Sequence, residues 1–461
     1  MKKSINICEI LLFVAFVILT PFLSNKITLL IAIPVFVLIY YFAKNIKIKN
    51  YALFIFIVSL IIRIISIIIL KVEITDDYKT MYDASTSLIK NDLLFLNSFY
   101  FKTFSYQLGH VLYQAILLKI INKVIFLKMI NSIITSLIVV FVYLISKKLF
   151  KETTAKIISL IYLLYLYPIY LNSVLTNQHI PALLSLVVIY LVLSKEKSIK
   201  LSIVVAIILG ISNFLRTESI IIILGISIYY LINIQKDNYK RNIISISVLL
   251  FTYFLFNIFI SNIILISPLH TKLDNKEPLW KFYCGLNYKY NGRYNEEDQS
   301  IFFSSNNKRN LLINRVKEEN VKLPILILKK EVILWTQTNY DLRITNIINK
   351  DIYKYILWLN QGYLNIIILL FIVSIYPYKN IKNKKILLLK IIVGLYYGIY
   401  GLIEISPRYA YILHIFILLL LGIGIEKIIE LKRSTSKWKE YSILKKRLLN
   451  FLKIIILQLD Y

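Results

Sequence analysis

Apolar runs long enough, or nearly long enough, to cross a bilayer recur along this chain. They lie at about 5–23, 27–43, 51–70, 128–146, 157–171, 180–194, 201–214, 219–234, 243–266, 356–376, 386–403 and 409–426. Roughly twenty apolar residues make a helix that spans the hydrocarbon core, where no water satisfies an open backbone. The expected fold class is therefore an all-α polytopic membrane protein with about twelve transmembrane helices. Composition agrees, with 461 residues of which 58% are hydrophobic and 17% charged. The formal charge of +30 does not point to nucleic acid. Its Lys and Arg lie in short clusters between apolar runs, as expected of cytoplasmic loops, rather than along one face.

Placing the N-terminus inside puts Lys44/Lys47/Lys49, Lys147/Lys148/Lys151, Lys195/Lys197/Lys200, Lys236/Lys240/Arg241 and Lys379/Lys382/Lys384/Lys385 on the cytoplasmic side. The segments left outside are 71–127, Asn172–His179, 267–355 and Glu404–Arg408. The expected organisation is an N-terminal helical hairpin (1–50), a transmembrane module (51–266) carrying outer loop 71–127, and an extracytoplasmic segment (267–355). C-terminal transmembrane helices (356–426) and a basic cytoplasmic tail (427–461) follow, the tail lying on the inner leaflet. Cys8 and Cys284 fall at opposite faces, so neither a disulfide nor a thiolate metal site is expected.

The outer segments hold the polar residues that anchoring does not require. Asp76 and Asp77 follow a long apolar run and open a helical pattern in which Asp77, Met81, Ala84 and Leu88 share a face. Leu108, Val111, Leu112 and Ala115 mark a second amphipathic helix, and both are expected at the outer interface. The short pair 201–214 and 219–234 holds Arg216 and Glu218 at or below that interface, paired with each other or facing a ligand. Arg63 is expected to have a structural partner or to snorkel. Gly285, Asn291 and Gly292 supply turns in an aromatic and polar loop, while 309–335 reads as helical, with Pro324 opening a second helix.

In order along the chain, Asp76-Asp77-Tyr78 with Tyr82 and Ala84, Tyr167-Pro168, Thr176-Asn177-Gln178, Leu215-Arg216-Thr217-Glu218, Gly285-Leu286-Asn287, Gly292-Arg293-Tyr294-Asn295 and Pro407-Arg408-Tyr409 form a pattern. It resembles the lipid-dependent glycosyltransferases of the GT-C fold, which include protein O-mannosyltransferases and bacterial aminoarabinose transferases. The resemblance runs from about residue 50 to 426. It departs at Gln178, where relatives often carry an acidic residue, at Thr217, where proline is common, and in two extra N-terminal spans.

The resemblance implies transfer of a sugar from a polyprenyl-phosphate carrier to a glycan, lipid or protein acceptor at the outer face of a bacterial cell membrane. The family's loop carboxylate corresponds to Asp77, with Asp76 as helper. A phosphate leaving group needs cations rather than an acid, a role that Arg408 and Arg216 fit. A carboxylate taking the acceptor's proton opposite the leaving group implies inversion. Tyr82, His179, Glu218, Asn287 and Glu404 are the further substrate-binding candidates. No cofactor or strong metal site is expected, although a divalent cation stays open. A lipid-linked sugar flippase, another carrier or a polysaccharide polymerase are the competing readings. Outer segments of about 55 and 85 residues favour the enzyme over an alternating-access carrier.

Overall fold

The computed structural model describes residues 10–11, 13–14, 26–70, 72–233, 239–336, 350–376 and 384–433. Most of the first expected span (5–23), Cys8, Lys236, Lys379, Lys382, residues 337–349 of the second outer segment and the tail from 434 lie outside them. Among the described residues every regular element is helical, and the chain is an all-α membrane protein.

Helices α1 (Lys26–Asn45) and α2 (Tyr51–Leu70) precede the first polar segment, which folds as α3 (Asp76–Ile89), α4 (Phe99–Thr103) and α5 (Leu108–Ile120). Then come α6 (Val124–Leu149), α7 (Glu152–Leu163), α8 (Leu166–Leu171), α9 (His179–Ser194), α10 (Ile199–Leu215), α11 (Ser219–Ile232) and α12 (Tyr239–Ile266). The second polar segment supplies α13 (Trp280–Gly285), α14 (Glu296–Ser304), α15 (Lys308–Glu319) and α16 (Leu323–Thr336). Finally α17 (Lys350–Ile375), α18 (Ile386–Leu402) and α19 (Ala410–Arg433) close the fold. Among the described residues five helices, α2, α6, α12, α17 and α19, are long and apolar enough to cross a membrane, and shorter apolar helices occur in α1, α9, α10, α11 and α18.

The expected span 157–171 is two helices, α7 and α8, separated at Leu164 and Tyr165. Pro168 accounts for the break: its ring clashes with the carbonyl four residues back, which belongs to Leu164. Pro324 sits in the first turn of α16, where its missing N–H costs nothing.

Helix α19 forms the centre. From Ala410 to Ile425 its apolar side chains are almost all buried, against α7, α17 and α18. By contrast, α12 exposes Phe251, Phe254, Leu255, Ile258 and Phe259 along one side, an apolar face suited to lipid and not to water. In α2 the buried stripe Tyr51, Ile55, Ser59, Arg63, Ser66 and Ile67 follows helical spacing and faces α6, whose own buried stripe is rich in Ser, Thr and Asn. Arg63 is fully buried, so it does not snorkel. Helices α3 and α5 pack together through Met81 and Ala84 on one side and Leu108, Val111 and Ala115 on the other.

Candidate functional site

A cavity of about 880 Å³ opens where the polar segments meet. Its lining comes from 76–107, Asn177, 216–218, 280–303 and 404–409. Each of the four segments that charge alone assigns to one side of the membrane contributes a wall, joined by the tip between α10 and α11. The floor and rim are polar and aromatic: Tyr78, Tyr100, Tyr106, Trp280, Tyr294 and Tyr409 stand among four carboxylates and four cations. A much smaller recess at the opposite, basic end is lined by Lys44, Lys151 and Glu426.

Asp76 and Asp77 both line the cavity but are held differently. Asp76 has φ +53°, a left-handed conformation that Asp tolerates because its short side chain bonds locally, and here Thr75 Oγ1 donates to Asp76 Oδ2 at 3.1 Å. Asp77 then begins the helical turn. The buried face of α3 is Tyr78, Met81, Ala84 and Ser85. Asp77 therefore lies at the edge of the stripe on which the spacing placed it, 40% exposed toward the cavity. Its Oδ2 accepts from Arg408 Nη2 at 2.6 Å. With Arg408 itself 30% exposed, this pair is a weak source of stability and a good source of orientation.

Arg408 occupies a short 3₁₀ turn, Pro407–Tyr409, at the entry to α19. Gln178 Nε2 donates to the Arg408 carbonyl at 2.8 Å and fixes that turn. The guanidinium lies 5.4 Å from the Tyr78 ring centre and 5.8 Å from that of Tyr409. Arg216 and Lys281 approach the same Tyr409 ring, each at 5.4 Å, so three cations surround one aromatic ring. Burial works against each arginine's charge, but neighbouring acidic groups and phenols outweigh it and hold both guanidinium groups above their ordinary range.

Arg216 pairs with Glu218 through Nε and donates from Nη1 to Asn177 Oδ1 at 2.8 Å. Asn177 Nδ2 in turn donates to Gln107 Oε1 at 3.0 Å. The sequence left open whether these two charges pair with each other or face a ligand; they do pair, on the cavity wall and largely buried. Among the described residues the Lys281 ammonium makes neither a hydrogen bond nor an ion pair. Burial raises the Glu404 carboxyl, with Lys281 and Arg408 opposing it more weakly.

The wall bearing Lys281 is locked to the one bearing Arg408. Glu404 N donates to Lys281 O at 2.7 Å, and Ile405 N donates to Gly292 O at 2.9 Å. Behind this seam Lys330, fully buried on α16, donates to Gly285 O at 2.9 Å and Gly401 O at 2.8 Å, the carbonyls at two helix C-termini. Gly292 has φ +67°, and a Cβ there would come within 2.8 Å of both Gly285 O and the Lys330 stem, so only glycine fits. Burial lowers the Lys330 ammonium to about 7 and raises the neighbouring Glu331 carboxyl to about 8.

Of the nine residues singled out from sequence, Asp76, Asp77, Arg216, Glu218, Glu404 and Arg408 line one cavity. Tyr82, His179 and Asn287 do not. Tyr82 packs on the cluster of Leu118, Leu127 and Leu175. His179 is buried with Nδ1 on Tyr411 Oη at 3.0 Å and Nε2 on Leu171 O at 3.1 Å, leaving no ring nitrogen for a ligand. Asn287 donates to buried Asp298 at 2.8 Å, an acid also held by Asn295 and Arg315, and so builds the wall from behind. Sequence reasoning missed Lys281 and Lys330. A lysine amid Trp280, Phe282 and Tyr283 was the available signal for the first. Lys330 sits in an apolar helix beside Lys329, and nothing in the sequence tells the two apart. No protein-family model matches the chain, and no curated protein matches it either.

Proposed function

We propose that the chain is a GT-C-type membrane glycosyltransferase, with about twelve spans, that moves a sugar from a polyprenyl-phosphate carrier to an acceptor at the outer face of a bacterial plasma membrane. The observation that carries this reading is the pairing, within one cavity, of a half-exposed carboxylate with a set of converging cations. Asp77 is bonded to Arg408, and Arg216 and Lys281 reach the same tyrosine ring. A donor of this type carries its negative charge on the atom group that leaves, and its cleavage needs that charge held rather than protonated. Guanidinium groups suit the purpose because they stay charged and offer paired N–H donors.

In the proposed reaction the acceptor oxygen forms a bond to the anomeric carbon while the bond from that carbon to the phosphate oxygen breaks. The acceptor's proton passes to the Asp77 carboxylate, and the bond's electrons leave with the carrier phosphate, held by Arg408 and Arg216. Attack opposite the leaving group inverts the anomeric centre. In the structure Arg408 neutralises Asp77, so a phosphate that draws Arg408 away also frees the carboxylate as a base. Tyr100, Tyr106, Trp280 and Tyr294 give the cavity flat apolar surfaces beside polar groups, a lining suited to sugar rings.

Lipid extracts from cells with and without the gene, compared by mass spectrometry, test the reading. Loss of the gene should cause a polyprenyl-phosphate sugar to accumulate. An unchanged lipid-linked sugar pool beside a defect in moving such lipids across the membrane would favour the carrier reading instead.

A further inference from the structure

Arg63 is a charge that the proposed reaction does not use. It lies on α2, away from the cavity lining and with no exposed surface. Its Nη1 donates to Ser59 Oγ at 2.5 Å and to Ser59 O at 3.4 Å. The Nε and Nη2 atoms are buried and find no hydrogen-bond partner among the described residues. Among the described residues no carboxylate forms a salt bridge with it. A guanidinium inside a membrane bundle without a counter-charge is expensive, and such groups normally pair or meet a polar ligand.

The polar groups nearby are already committed. Ser59 Oγ receives Arg63 and donates to Ser136 Oγ at 3.1 Å, and Ser136 Oγ donates to Ser132 O at 2.7 Å. Tyr162, Tyr411 and His179 lie within electrostatic reach of Arg63 but are tied to one another. The Leu171 carbonyl can only accept, so His179 Nε2 carries the proton and Nδ1 accepts from Tyr411 Oη. Tyr411 Oη, its own hydrogen directed at the imidazole, accepts from Tyr162 Oη at 3.3 Å. This chain is neutral from end to end. It leaves both the Arg63 charge and the N–H groups on Nε and Nη2 unanswered.

We propose that Arg63 holds a small monovalent inorganic anion of about chloride size, seated between α2 and the hydroxyl-rich side of the bundle on the Nε–H and Nη2–H edge of the guanidinium. Water would satisfy those N–H groups but not the charge, whereas an anion satisfies both. A carboxylate-bearing ligand or a lipid phosphate is too bulky to reach a guanidinium with no exposed surface, whereas a monatomic anion can exchange through local opening of the helices. The site would act as a structural plug that neutralises the core beneath the cavity, independently of which reaction the cavity performs.

The test uses the purified full-length chain in detergent. Thermal unfolding is followed as sodium chloride replaces sodium gluconate at constant ionic strength, and bound ³⁶Cl⁻ is measured by equilibrium dialysis. The expected result is a saturable rise in Tm of at least about 2 °C and roughly one displaceable chloride per chain. Arg63→Gln should abolish both, and Arg63→Lys, which keeps the charge and loses the fork, should weaken chloride binding about tenfold. Equal Tm in the two salts with no saturable chloride would overturn the proposal, as would chloride binding that survives unchanged in Arg63→Gln, since that places it on surface lysines. Should Arg63→Gln not fold, the wild-type titration and Arg63→Lys decide the question alone.

Discussion

Gly109→Ala is a one-carbon change at a residue outside the cavity lining, yet the packing makes it a change at the cavity. Gly109 lies in the first turn of α5, where a Cβ would sit 1.6 Å from the Phe214 carbonyl oxygen and 2.7 Å from its carbon. Backbone cannot rotate out of the way as a flexible side chain does. Restoring even a 3.0 Å contact requires α5 and the end of α10 to separate by about 1.4 Å. Arg216 is two residues beyond Phe214, so its 2.8 Å bond to Asn177 stretches out of hydrogen-bond reach. Two effects on stability oppose each other. Alanine gains about 1 kcal/mol over glycine inside a helix, and overpacking costs about 1–3 kcal/mol. Because the clash is with main chain, the second should win, giving a net loss of about 1–2 kcal/mol. Thermal unfolding by intrinsic fluorescence should show a Tm lowered by a few degrees, and the KM for the lipid donor should rise several-fold with the Arg216 displacement. A Tm that rises, as helix propensity alone would give, together with an unchanged donor KM, would refute the reasoning.

Two further outcomes follow from other parts of the site. Arg408→Lys keeps a cation but loses the paired donors, so donor affinity should fall about tenfold in a reconstituted assay, equivalent to about 1.4 kcal/mol. Glu331 holds its proton up to about pH 8 in the folded chain, well above the ordinary carboxyl value, so the folded state binds more protons and stability falls as pH rises through that window. Between pH 5 and 7 the wild type should lose about 2–3 kcal/mol from this group, offset by only about 0.4 kcal/mol as Lys330, lowered to about 7, begins to release its proton. Glu331→Gln, which preserves an acceptor for Trp335 Nε1, should flatten the pH dependence of Tm over that range.

The helical class and the segments that build the cavity were legible in the chain because both are written in local pattern: apolar run length, basic clusters, and carboxylates where a membrane helix has no use for them. Arg216 and Glu218 could be read as a unit because a short loop fixes their separation, and Asp77 and Arg408 could each be singled out although their pairing spans 331 residues. What escaped depended on tertiary detail. The break between α7 and α8 follows from Pro168 but competes with an otherwise continuous apolar run. His179 looked available beside a span, and only the folded chain brings Tyr411 and the Leu171 carbonyl to its two nitrogens. Lys281 and Lys330 differ from surface lysines in what the fold brings to them: the Tyr409 ring for the first, the C-terminal carbonyls of α13 and α18 for the second.

Single-turnover transfer from a purified polyprenyl-phosphate sugar, measured side by side for the wild type, Asp77→Asn and Asp76→Asn, tests the central claim most directly. Asp77→Asn keeps size and removes the base, and it also releases Arg408 from its ion pair, so donor should bind at least as tightly while transfer is lost. Asp76→Asn should retain most turnover, because asparagine tolerates the left-handed backbone at that position and the carboxylate that Arg408 pairs with is that of Asp77. Transfer by Asp77→Asn at the wild-type rate would contradict the account.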